Sequence, residues 1–452
     1  NASKISGRTA SGLGIGFFNA VTKPQYASIE KNGKEVRQIE TSPLTNYNIL
    51  VFDQTLKNNS SVSLINTNVT RSGHDYDANV TAALWDIYDK KNKWNVNGQV
   101  GVSQLMGYEA AGKTLAGYSH TLGLGKTSGR FNFNLWQELA DEKYNLNDMG
   151  YFTNNNYFNN GLWMGYRWLK PKGWYNRLNL NVNANVSMRY KPYDYQSMNF
   201  NTNINGQLKN LWWAGMNFNV NPQQQDFYEP RVPGKMFKRP TSWMAGFWFE
   251  TNSAKKYSAA VEFYNRTWVE YGSVGRDIYF RNNYRFNKKL TITTTTYLEF
   301  RKNNLGYATM YSTDSVIFAL RKRNTVENVL NIKYNFNNKM GLSFRARHYW
   351  SKVDNQEFYK LQDDGYLKHI PGGISTNVNY NVNYFNIDMV YTWQFALGSF
   401  INIVWKDAIS TFDRNTQTRY FKNFSNTIQS DQQNSVSIRV IYFLDYLTLK
   451  KK

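Results

Sequence analysis

Apolar and polar residues alternate with a period of two along most of this chain. Leu178, Leu180, Val182, Ala184, Val186, Met188 and Tyr190 alternate with Asn179, Asn181, Asn183, Asn185, Ser187 and Arg189. A helix would set half of those asparagines in its apolar stripe, whereas a strand places every one on the opposite face. The same alternation runs through residues 131–138, 290–301 and 385–395. It returns near the end, with Val436, Ile438, Val440, Tyr442, Leu444 and Tyr446 on one side. No amphipathic stretch of three helical turns interrupts it, so the chain reads as all-β.

The connections between these strands alternate in length. Short ones carry turn residues: Ser11-Gly12, Lys57-Asn58-Asn59, Lys91-Asn92-Lys93, Ser128-Gly129, Pro171-Lys172-Gly173, Ala254-Lys255-Lys256, Asn287-Lys288-Lys289, Asn337-Asn338-Lys339 and Leu397-Gly398. Between them lie longer polar segments at 23–46, 141–160, 221–241, 353–377 and 413–433. Tight turns on one side, long loops on the other and strands of roughly 10 residues form the pattern of an outer-membrane barrel. The expected fold is a large antiparallel transmembrane β-barrel of about 20–24 strands, with short periplasmic turns and long extracellular loops. Walking the turns gives about 21 strands, with the run 315–336 readable as one strand or two. Residues 1–452 are read as one barrel domain, with one or more strands and a further module expected upstream of Asn1. The C-terminal Lys450, Lys451 and Lys452 would lie in the periplasm.

Composition sharpens the picture. Aromatic residues make up 17% of the chain and mean hydropathy is −0.63, which excludes disorder, because disordered chains carry few aromatics. No run of about 18 apolar residues exists, so no helical membrane span is expected. Cysteine is absent, which removes disulfides and thiol chemistry. A soluble propeller would show a repeated motif, and none is found. Lys and Arg total 54 against 32 acids, a formal charge of +22. Such a balance often marks nucleic-acid binding, but alternation accounts for the aromatics better than base stacking does, and no nucleic acid is expected. Trp94, Tyr190, Trp243, Tyr271, Trp350 and Trp393 fall near strand ends, where a barrel needs membrane-interface girdles.

Charged residues on the polar side of the strands would face the lumen. These are Arg189, Arg266, Arg281, Arg285, Arg301, Arg345, Arg347 and Arg439, with Glu138, Glu250, Glu262, Glu270, Glu299, Asp388 and Asp445. One reading is a basic-biased wall that selects anionic solutes. The other, which is preferred, is cross-strand neutralisation of Arg by Glu or Asp. A lumen this wide is expected to be filled, by inward-folding loops with 353–377 and 413–433 as candidates, by the region expected upstream of Asn1, or by another polypeptide.

No catalytic constellation, metal set or cofactor site is marked. His74, His120, His348 and His369 are scattered. Segments with Asp75 and Asp77, or with Asp141, Glu142, Asn145 and Asp148, lack the EF-hand pattern and read as solvated loop tips. The glycines at 12, 14 and 16 precede a strand, so they are no phosphate cradle.

Four stretches carry a family likeness: KISGRT at 4–9, LGIGFFNAVT at 13–22, PLTNYNILVFDQTLKNNSSVSLINTNVTR at 43–71 and NTVENVLNIKYNFNNKMGLSFRARHYW at 324–350. They resemble a Bacteroidota-type outer-membrane β-barrel family of unknown function. Its members carry an N-terminal module similar to carbohydrate-binding family nine, followed by the barrel. The resemblance implies a Gram-negative cell outer membrane, a multi-pass wall, and no catalytic residue in this segment. Expected partners are the lipid bilayer, lipopolysaccharide, and other outer-membrane or periplasmic proteins. Passage or binding of an extracellular solute, with glycan as one candidate, leads the functional readings. A scaffold subunit of a membrane complex and an anchor for an upstream carbohydrate-binding or hydrolase module stand beside it.

Overall fold

The computed structural model describes residues 1–31 and 33–444. Asp445, Tyr446 and the terminal lysines therefore lie outside the described residues. The alternation produces what it predicts: strand takes up 69% of the chain and helix 3%. Two compact units divide it, residues 1–167 with 181–200, and residues 168–180 with 201–452.

The first unit opens with β1 (Ala2–Arg8), β2 (Leu13–Thr22) and a separate hairpin, β3 (Gln25–Lys31) with β4 (Lys34–Ser42). Next come β5 (Thr45–Thr55), β6 (Ser61–Arg71), β7 (Asp77–Tyr88), β8 (Trp94–Glu109), β9 (Lys113–Lys126), β10 (Phe131–Ala140) and β11 (Tyr157–Trp168). Each of β1, β2 and β5–β11 pairs antiparallel with the next.

The strands β12 (Tyr175–Arg189) and β13 (Tyr195–Leu208) divide their length between the units. The second unit continues with β14 (Trp213–Asn221), a short hairpin of β15 (Gln224–Asp226) and β16 (Phe237–Arg239), then β17 (Ser242–Glu250), β18 (Tyr257–Trp268) and β19 (Val274–Arg285). It ends with β20 (Leu290–Met310), β21 (Val316–Asn335), β22 (Met340–Leu361), the stub β23 (Leu367–His369), β24 (Tyr380–Ala396), β25 (Ser399–Asp413), helix α1 (Tyr420–Ile428) and β26 (Gln433–Ile441). From β14 through β17 to β26, every pairing is again antiparallel.

Setting aside β3, β4, β15, β16 and β23 leaves 21 of the 26 described strands, the number that walking the turns gives. The run at 315–336 is one strand, β21, because both neighbours are as long as it is. All nine short connections read from the sequence join consecutive strands. Among the described residues no closed ring of strands is found: β1 pairs with β2 alone and β26 with β25 alone.

Register fixes the faces. In the first unit Ile15, Phe52 and Leu64 lie in one row, as do Phe17 and Leu50. In the second, Met216, Phe247, Phe263, Ile278, Leu298, Val326 and Trp350 share another. Many of these apolar side chains are exposed, Phe247 by 47% and Met216 by 63%. A sheet ordinarily buries its apolar face against a second layer. Among the described residues the other sheets are only the two-stranded hairpins, so these rows have no layer to meet.

True cores are small and sit at the long-loop ends. Phe237 from β16 and Val232 pack on Leu305, Val316, Phe318, Leu320 and Leu361, with Phe237 and Phe318 centroids 4.6 Å apart. The first unit gathers Val69, Ala78 and Leu105 under Tyr47, Tyr76, Leu115 and Met149.

Helix α1 lies in the segment 413–433 and has nine residues, fewer than three turns, so the all-β reading holds. It does not fold onto the polar face. Tyr420 Oη accepts a hydrogen bond from Asn328 (2.8 Å) and contacts His348 Nδ1 (2.9 Å). Asn423 bonds with Asn381 (3.0 Å) and Asn383 (2.5 Å). Register puts Asn328, His348 and Phe385 in one row with Phe280, on the apolar face. Helix α1 thus satisfies a polar row that would otherwise stand bare among apolar ones.

Asn423→Ala should strand the amides of Asn381 and Asn383 and cost about 2 kcal/mol. The expected readout is faster tryptic cleavage at Lys422 and a red-shifted Trp350 emission, with unchanged far-ultraviolet circular dichroism.

Candidate functional site

The polar face of the second unit carries the charge-bearing cluster. Alternation delivers it: on β18–β22, residues flanking each apolar position point the other way, so their charged groups meet across strands. Arg301 lies 2.7 Å from Asp277 and 3.3 Å from Glu299. Glu299 also takes Arg323 at 2.7 Å, and Tyr297 Oη donates to Asp277 at 2.7 Å. Beside this run, Arg281 meets Glu250 at 3.0 Å, Arg347 meets Glu327 at 2.7 Å, and Tyr264 Oη donates to Glu262 at 3.0 Å. Lys406 stands 3.9 Å from Asp388, which faces Arg345 in register.

The neutralising reading is therefore the one the geometry carries for Arg281, Arg301 and Arg347, each held by a carboxylate. Asp277, Arg323 and Glu327 complete these pairs and were not singled out from sequence. Asp277 and Arg323 lie directly opposite Glu299 and Arg301, so cross-strand register would have found them, whereas Glu327 faces Tyr297 and Tyr349 and reaches Arg347 only diagonally.

The other candidates separate. Arg266 is on the polar face, within 3.4 Å of Ser242 Oγ and Met244 Sδ. Arg285 sits at the turn end and donates to the Ser253 carbonyl. Arg439 lies opposite Asn402, and Arg189 is 4.0 Å from Asp194. Glu138, on the first unit's polar face, accepts from Tyr157 Oη at 2.8 Å. One expectation fails because a turn intervenes. Glu270 lies in the turn between β18 and β19 and belongs to no strand face, while Tyr271 beside it lies near the strand ends. Tyr271 has φ +59° and its ring packs edge-on against Tyr359, in the small core.

Among the girdle candidates, Trp94 and Trp393 sit on the apolar face at the short-turn end, and Trp243 on that face at the long-loop end. Tyr190 follows β12 directly, under Lys191. Trp350 is not an exposed girdle residue. It is 6% exposed because α1 covers it, and its indole donates to Asn381 at 2.5 Å.

A loop covers the polar face in the first unit. Residues 141–156 run over β8 and β9, where the Asn145 N–H donates to Ser103 Oγ at 3.0 Å and Arg71 grips Asp148. A side chain at Gly117 would collide with the Tyr144 backbone, so glycine is what lets the loop lie this close. The acids of this loop are already engaged. Asp141 accepts from the N–H groups of Lys143 and Tyr144, and Lys191 holds Glu142 at 3.1 Å. Among the described residues no group of three or more His, Asp or Glu side chains is placed to hold a metal ion.

The hairpin β15–β16 is clamped by Asp226 and Arg239 at 2.7 Å. Burial alone would raise the Asp226 pKa, but Arg239 and the N–H groups of Glu229 and Tyr228 outweigh it and hold the carboxyl below its usual value. Asp226 therefore stabilises the hairpin above the unfolded pKa of about 4, and that contribution disappears as pH falls through the lower folded value.

The family model of a domain of unknown function, DUF5916, matches residues 1–452, the whole chain. No curated protein matches it.

Removing Arg347 and Glu327 singly and together should give a coupling of about 0.5 kcal/mol in urea unfolding, small because both side chains remain wetted. Hydrogen exchange across 224–239 should accelerate only below about pH 4, and Arg239→Gln should move that onset up by roughly one pH unit.

Proposed function

The chain belongs to this family of unknown function, and we propose that it forms the wall of an outer-membrane β-barrel that binds or passes an extracellular solute. One observation carries the reading: each unit leaves rows of large apolar side chains exposed, with no second layer against them. Water would charge each such row about 25 cal/mol per Å² of apolar surface, and hydrocarbon removes that cost. Strands cross hydrocarbon only when every backbone group is paired, so closure of the sheet into a ring is part of the proposal.

The two ends of the strands differ as a membrane would require. The short turns carry Lys57, Lys91, Lys93, Lys172, Lys255, Lys256, Lys288, Lys289 and Lys339. Lys93 lies 5.8 Å from the Trp94 ring and Lys256 5.2 Å from Tyr284. Lysines over aromatic rings suit an interface with anionic headgroups. The long loops, with their own small cores, would then face outward.

In this reading the polar face lines the lumen. Its Arg–carboxylate ladder, asparagines and tyrosines present hydrogen-bonding groups suited to a hydroxylated or anionic solute, a glycan among them. The loop 141–156, lying on that face, supports a lumen that is occluded rather than open. A scaffold role is the second reading, supported by the polar rows on the apolar face, which call for a protein cover rather than lipid.

Phe247→Cys should react with a lipid-soluble maleimide and resist a membrane-impermeant one in outer membranes; aqueous labelling would sink the membrane wall. In planar bilayers the intact protein should show little steady conductance, and replacing 143–154 by a short glycine linker should raise it several-fold. A large steady conductance from the intact chain would remove the occluded lumen.

A further inference from the structure

A polar belt crosses the exposed apolar face of the first unit. On β5 the row that begins with Phe52 and Leu50 continues as Asn48 and Asn46. On β6, Val62 and Leu64 give way to Asn66 and Asn68, and on β7, Ala83 gives way to Thr81 and Asn79. Register confirms one face: Leu50 lies opposite Asn66, and Asn66 opposite Thr81. The amides bond sideways to one another. Asn19 donates to Asn46 (2.6 Å) and Asn48 (2.8 Å), Asn66 donates to Asn79 (2.9 Å) and Thr81 (2.8 Å), and Asn79 reaches Gln104 at 3.4 Å. None of these side chains is charged.

Its height makes the belt unusual. β6 has 11 residues, which at about 3.3 Å each and a tilt near 40° span about 28 Å. A bilayer's apolar band, about 25 Å tall, needs that whole length, so half of it would be amide. β17 shows the ordinary arrangement, with Trp243, Ala245, Phe247 and Phe249 filling its exposed row.

The chain itself shows what covers such a row. In the second unit the neighbouring polar residues Asn328, His348, Asn381 and Asn383, on one face of β21, β22 and β24, are capped by the amide of Asn423 and the hydroxyl of Tyr420 on α1. The first-unit belt has no such cap among the described residues. We infer that it is covered by the same belt of a second copy of this chain, forming a two-fold dimer within the membrane. Every Asn carries two donors and two acceptors, so sideways bonding leaves capacity on each. An uncharged amide row is complementary to itself under a two-fold axis. A charged partner would find nothing to pair with. Amide hydrogen bonds between chains, with lipid as the alternative, favour such an association.

The inference rests on the membrane-wall reading, and one set of variants separates the two. The chain lacks cysteine, so Asn68→Cys, Asn48→Cys, Leu64→Cys and Phe247→Cys each introduce a single thiol. In outer membranes a short bismaleimide should convert Asn68→Cys and Asn48→Cys to a species of doubled mass and leave Phe247→Cys at single mass. Adding Asn66→Leu and Asn79→Leu should lower the doubled species about fivefold, with circular dichroism unchanged. Single mass throughout, an adduct of another mass, or complete reaction of Asn68→Cys with a lipid-soluble maleimide would each overturn the dimer. Leu64→Cys labelled only from lipid, beside any of those results, leaves the membrane wall standing while the dimer falls. Labelling of Leu64→Cys from water fails the wall itself.

Discussion

A sheet one layer thick has to put its apolar side somewhere. That constraint governs this protein. Period-two alternation makes every strand two-faced, and long antiparallel ladders pair the backbone almost throughout. Neither unit folds a second layer over the exposed Phe and Leu rows. The small cores at the long-loop ends, such as the one around Phe318, order the connections and leave the rows themselves uncovered. What satisfies those rows must come from outside the sheet, and the functional proposal follows from that need.

The opposite face solves a different problem. Arg301, Glu299, Arg323 and Asp277 interlock across strands, and their neighbours repeat the arrangement. Arg301 and Glu299 keep only 13% and 12% of their side chains exposed, so their attraction is largely offset by the cost of desolvating the charges. Their value lies in register, because a one-residue slip would carry every arginine to the apolar side. Charge on this face and phenylalanine on the other thus specify the same alignment twice.

Much of this was legible in the sequence. Period two identified the strands, Gly, Asn and Lys marked the turns, and the count of 21 follows from them. Charged residues on strands, such as Arg347 and Asp388, fell on the face that alternation assigned. The misses share a physical cause. Glu270 continues the local pattern, yet strand β18 ends at Trp268, and a few residues of alternation cannot announce where a strand stops. Helix α1 is short and rich in Asn, Thr and Ser; its anchors are amide bonds to residues some 40 positions away, and a period carries no trace of those. Trp350 reads as an interface tryptophan only until that helix covers it. The belt of asparagines was visible as letters, but its face became meaningful only once register joined it to Leu50 and Leu64.

The strands β20, β21 and β22 run to 21, 20 and 22 residues, nearly twice the length of β6. Their bulges, at Arg301–Asn304 and Leu320–Arg321, mark where the extra length begins. A load placed on the tip around Phe237 would travel down three unbroken backbones into the Arg301–Glu299 ladder. The long-loop tip and the charged ladder thus share the same three strands, so whatever grips one also tugs on the other.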